Sequence, residues 1–267
     1  MDAFSFFTAR VYVLDFGLTT CKSNAYDRQM IENNIHSSES SRPPTPRKGI
    51  DQGPLFFSIR FPLWLKVGFG ACMFIAIAVV VRRAIALLRP STGIAPPQLA
   101  DLDRWFASHS VLTWIHILCA LAFVLVLPFL FRARMVPSAL LRAFFFLGII
   151  TGITAYGMSR YAVGGWTERS AVFFFDSLFL FSLAKVWQFS KQPARLFQQR
   201  LWMIRATAIL LGIATTRPVM GFFFATQRLS HLTPSQFFGI AFWIGFSINT
   251  IVIEFWVRKV TGQTVRA

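Results

Sequence analysis

Six mostly apolar stretches, each about 20 residues long, fill the chain from Phe61 to Val257 and constrain its fold more than any single motif. A run of that length spans the ~30 Å hydrocarbon layer as one helix. In lipid only helices and closed barrels satisfy their own backbone polar groups. Barrel strands alternate in polarity, and these runs do not. The sequence therefore predicts an all-α integral membrane bundle of six transmembrane helices, with lipid bilayer as its surroundings. The spans fall at about 61–81, 109–131, 140–160, 170–190, 202–225 and 236–257 within a membrane domain of residues 61–260.

Composition agrees. Hydrophobic residues make up 55% of the chain and charged residues 14%. Phe-Phe-Phe triplets recur at 144–146, 173–175 and 222–224 and read as packing and lipid-facing bulk. The net charge of +16 would suggest nucleic acid in a soluble chain. Here the cations lie in short connections between apolar spans, where they meet lipid phosphates and set orientation. A nucleic-acid partner is not expected. Cys21, Cys72 and Cys119 form no C-x-x-C pair, and two of them lie within spans, so neither a disulfide framework nor a metal site is expected.

Residues 1–60 differ in character. Ser37 to Gln52 is rich in Ser, Pro and charge and reads as a disordered tail. The first residues lack the basic and apolar regions of a signal peptide. Translation from Met30 is one hypothesis that intact mass would check. The longest connection, 82–108, contains Pro90, Pro96 and Pro97, and has room for a short surface helix before His109.

Six spans put both termini on one side. That side gathers Arg60, Lys66, Arg132, Arg134, Arg142, Lys185, Lys191, Arg195, Arg200, Arg205, Arg258, Lys259 and Arg266. The other carries fewer cations, among them Arg82, Arg83 and Arg169, diluted by Asp101, Asp103 and Glu168. The positive-inside rule then predicts a cell-membrane protein with both termini cytoplasmic. Gly148-x-x-x-Gly152 permits close helix approach, within the bundle or in a homo-oligomer.

An ionisable group inside a span costs about 2.5–3.5 kcal/mol on insertion scales and normally has a partner. His116 and Asp176 each lie seven residues past the start of their spans, roughly 10 Å deep. Arg217 precedes the end of its span by eight residues, roughly 12 Å. Tyr156 approaches the same level. His116, Tyr156, Asp176 and Arg217 thus form one predicted outer-leaflet layer, with Asp176 and Arg217 as natural partners and His116 as a hydrogen-bonding or proton-carrying neighbour. Two readings stay open: a pair that locks helix register, or a pocket for a small polar or anionic ligand. Glu254 and Arg258 form an i, i+4 pair near the other end. Asn249 is expected to hydrogen-bond between helices.

No cofactor is predicted. Haem b is the alternative, since membrane b-type haem usually takes two histidines on facing helices. Here His116 and His109 share one helix and His231 is shallow. No catalytic motif occurs, so an enzyme is not the first expectation. The leading functional expectation is a small transporter-like or ligand-sensing protein. A haem-binding redox protein and a non-catalytic scaffold are the alternatives.

One segment resembles a known family. Arg200-Leu201-Trp202-Met203-Ile204-Arg205, with Arg217 fifteen residues after Trp202, is similar to a signature of the multi-pass membrane family called domain of unknown function 2306. That signature reads His-Arg-x-Trp-Met-Ile-Arg, followed by a helix with an Arg at this spacing. Trp114-Ile115-His116-Ile117, with Pro128 twelve residues after the His, resembles the family's second-helix pattern. The resemblance covers roughly residues 109–225. Gln199 stands where the family usually has His, and Leu141 replaces a second family histidine before the retained Arg142. If the family uses those histidines for metal, haem or proton transfer, the resemblance implies that this chain has lost that activity. The family has no established reaction, so the resemblance otherwise implies a membrane protein and no particular chemistry.

Overall fold

The computed structural model describes residues 61–88, 109–133 and 136–264. The tail over 1–60 and the surface helix expected before His109 lie outside the described residues. Among the described residues there are six α-helices and no strand: α1 (Leu63–Leu88), α2 (Ser110–Arg132), α3 (Ser138–Ser159), α4 (Gly165–Ser190), α5 (Leu196–Ser230) and α6 (Pro234–Thr264). All six are long and apolar enough to cross a membrane. The chain is a multi-pass membrane protein.

Local chemistry sets the helix ends. α4 starts at Gly165, whose φ of 59° is costly for any residue with a Cβ. α5 closes on His231, the one described non-glycine at positive φ (52°), whose N–H reaches Gln227 O at 3.0 Å. α6 then opens with one half of a capping box. Pro234 takes the first helical position, and the Gln236 side chain accepts from the Thr233 N–H at 2.9 Å. Pro128 and Pro218 sit inside α2 and α5, and each removes one intrahelical hydrogen bond.

Helices run past the apolar segments that reveal them. α1 continues seven residues beyond the expected end, so Arg82 and Arg83 are helical and Arg83 is buried. α4 begins at 165 rather than 170, which brings Glu168 into its first turn. α5 and α6 are likewise longer at both ends than their apolar centres. Hydropathy marks the part of a helix that needs lipid; backbone hydrogen bonding continues into the interface.

Helices α1 to α5 contact one another in ring order, α1 touching both α2 and α5, and α6 packs against α4 and α5. The main core joins α2, α3, α4 and α5 through Phe123, Leu127, Phe144, Phe175, Phe179, Val186 and Met203. The first Phe triplet divides between the two environments: Phe144 is buried while Phe146 is 66% exposed. Phe74, Val111 and Phe255 are also outward and bare, an arrangement that lipid favours and water penalises. The Gly148/Gly152 pair is used inside the bundle. A Cβ on Gly152 would meet Leu180 Cδ2 at 2.6 Å, and one on Gly148 would meet Leu183 Cδ1 at 2.8 Å. At Gly245 a Cβ would meet Thr216, its Cγ2 at 2.5 Å and its backbone N at 2.6 Å, so α6 lies against the main chain of α5.

Candidate functional site

Helix ends and rotations decide what the polar layer becomes. A cavity of about 250 Å³ opens among the helices, lined by residues of all six. His116 of α2, Asp176 of α4 and Arg217 of α5 all line it. Arg83 of α1 and Glu168 of α4 line it too, although the sequence reading left both outside the spans. Most of the remaining wall is apolar, including Phe175, Phe179, Phe242 and Phe246.

The turn of α3 from Thr151 to Thr154 organises one side. Thr154 Oγ1 donates back to Ile150 O at 2.7 Å, within reach also of Thr151 O at 3.0 Å, so its single proton stays on the backbone. His116 Nδ1 lies 2.9 Å from the same oxygen and, with the hydroxyl proton turned to the backbone, is the donor. In the neutral ring this fixes the Nδ1–H tautomer and leaves Nε2 with the lone pair. Asp176 meets the same turn, its Oδ1 lying 3.2 Å from where a Gly152 Cβ would stand. Two acceptors from different helices thus rest on one turn, and the glycine makes room for the carboxylate.

The expected Asp176–Arg217 pair is not formed. Asp176 Oδ2 and Arg217 Nε are buried, and no described residue hydrogen-bonds either atom. Arg217 Nη1 makes only a weak contact with Met220 Sδ at 3.8 Å. Both side chains line the one cavity, and no hydrogen bond or ion pair joins them. The carboxylate that acts electrostatically on Arg217 is Glu168, whose Oε2 accepts from the Gly164 N–H at 2.6 Å. Each buried polar atom without a partner costs about 1–3 kcal/mol unless something else satisfies it.

Tyr156 leaves the layer. Its hydroxyl pairs with Ser177 Oγ at 2.7 Å, its ring stacks on Phe173 at 5.6 Å, and it does not line the cavity. Position 156 has the right depth and the wrong helix face.

The motif residues build a second polar centre toward the other end of α5. Arg205 grips Glu254 of α6 with Nε at 2.9 Å and Nη2 at 3.2 Å, and its guanidinium lies 4.6 Å from the Trp202 ring centre. The local partner expected for Glu254, Arg258, is present at 3.4 Å and is secondary. Sequence reasoning missed Arg205 as the main partner. Both residues lie three positions inside the expected cytoplasmic ends of their spans, and that shared depth was the available signal. Arg200 Nη2 donates to Ala133 O at 3.2 Å, tying α5 to the end of α2. Met203 and Ile204 are buried core. Asn249 bridges α6 to α5, accepting from Thr215 Oγ1 at 2.7 Å and donating to Ala208 O at 3.3 Å. Thr215 spends its proton there, so Cys72 of α1, 3.7 Å away, donates to Thr215.

No family model, curated protein or solved structure matches the chain.

Proposed function

We propose that this multi-pass membrane protein takes a small polar or ionic ligand into the cavity, as a small transporter or ligand sensor. One observation carries the reading: an acidic and a basic side chain, Asp176 and Arg217, share a cavity without forming an ion pair. A scaffold that needed these groups only for helix register would gain most by pairing them, as Arg205 and Glu254 are paired. A few convergent polar groups in a mainly apolar concavity are the usual make-up of a small-molecule site. By charge distribution both termini face the cytoplasm and the cavity lies toward the outer leaflet. The Trp202–Arg205 run supports membership of the domain of unknown function 2306 family.

The test is thermal unfolding of the purified protein in nanodiscs against a panel of small carboxylates, amines, amino acids and phosphate. A true ligand at 100 times its Kd stabilises by about 2.7 kcal/mol. Ala155→Phe, which fills the cavity from α3 without touching its charges, should abolish that shift. A folded protein that no panel member stabilises, or a shift indifferent to the filled cavity, would refute the reading.

A further inference from the structure

We infer that the cavity's ligand is a zwitterion: an ammonium and a carboxylate carried on an apolar body of amino-acid size. The inference rests on the ligand-binding reading above and names its chemical class.

The two sides of the cavity offer opposite groups. On the α3 side the groups are acceptors. Asp176 contributes a carboxylate whose Oδ2 has no partner among the described residues. His116, with Nδ1 committed to Thr154, contributes the Nε2 lone pair. An ammonium group has three N–H donors and no acceptor, and it suits such a pair. On α5 the group is a donor. Arg217 has a buried Nε without a described partner and a planar fork shaped for a carboxylate.

Simpler ligands fit less well. An anion alone would satisfy Arg217 and leave Asp176 buried, unpaired and repelling it. A cation alone would do the reverse. An inorganic ion of either sign would also shed its hydration shell against Phe175, Phe179, Phe242 and Phe246. A molecule bearing both charges meets both side chains where they line the cavity, and its aliphatic or aromatic body meets the phenylalanines. Size agrees: the cavity's 250 Å³ falls just below the about 300–1,000 Å³ typical of drug-sized pockets.

Matched probes test this on the unmutated protein. L-leucine carries both charges, 4-methylpentanoate lacks the amine, and 3-methylbutylamine lacks the acid. L-leucine should raise the Tm of the protein in nanodiscs, and each half-molecule should bind about 10- to 100-fold more weakly, the usual consequence of losing one charge-assisted contact. Asp176→Asn and Arg217→Gln, where they fold, should each lose the response to L-leucine. If 4-methylpentanoate binds as well as L-leucine, the site is an anion site; the zwitterion inference falls and the ligand-binding reading stands. Equal binding by 3-methylbutylamine has the same meaning for a cation site. If L-leucine, L-phenylalanine and both half-molecules all leave the Tm unchanged, the zwitterion inference is overturned. The wider reading then depends on the rest of the panel.

Discussion

Arg205 and Arg217 sit twelve residues apart on α5, roughly 18 Å along the helix, and meet opposite surroundings. Arg205 has a bidentate carboxylate, a tryptophan face and a second arginine completing the cluster. Its polar capacity is largely spent within the protein. Arg217 has a weak sulfur contact and a cavity. The same residue type on the same helix is a clasp at one end and an open valence at the other. An arginine in a span is therefore poor evidence of function until its partner is known. What separates the two cases is whether a carboxylate at matching depth also comes within bonding reach.

The difference is measurable. The largest effect should come from the closed end. Glu254→Gln removes the anion from a pair whose side chains are only 20% and 15% exposed, and should destabilise the protein by about 2–3 kcal/mol in equilibrium unfolding from mixed micelles. A double-mutant cycle with Arg205→Gln should return a coupling of at least about 1.5 kcal/mol. At the open end, Arg217→Gln should not destabilise the protein by more than about 1 kcal/mol, since it breaks no ion pair and removes a buried donor that no described residue satisfies. The cycle of Arg217→Gln with Asp176→Asn should couple by no more than about 0.5 kcal/mol. A coupling as large as that of 205 with 254 would erase the distinction and return the pair to a structural role. The smallest effect belongs to Arg258→Ala. Its side chain is 45% exposed and its bond to Glu254 is 3.4 Å long, so the same unfolding assay should register under about 0.5 kcal/mol.

Several of these features were legible before any coordinates. The six spans follow from apolar length alone, because lipid leaves the backbone no other arrangement. Depth was legible too: rise per residue is fixed, so His116, Asp176 and Arg217 were assigned to one level from their spacing, and they line one cavity. Rotation was not legible. Tyr156 has the depth and turns to Ser177 instead. The Arg205–Glu254 bond joins residues far apart in sequence, whereas the i, i+4 pair with Arg258 was visible from spacing alone. Arg83 and Glu168 were assigned to the connections because their charge placed them outside the apolar windows, although helical hydrogen bonding carries both into the bundle.

By itself the sequence determined the six apolar spans and the relative level of residues within them, since lipid thickness and helix rise leave little freedom. Tertiary packing decided the azimuth. Main-chain contact at Gly245 and the space left by Gly152 govern how closely neighbouring helices approach and what fits between them. Those contacts depend on complementary shapes from distant parts of the chain, which no local spacing encodes.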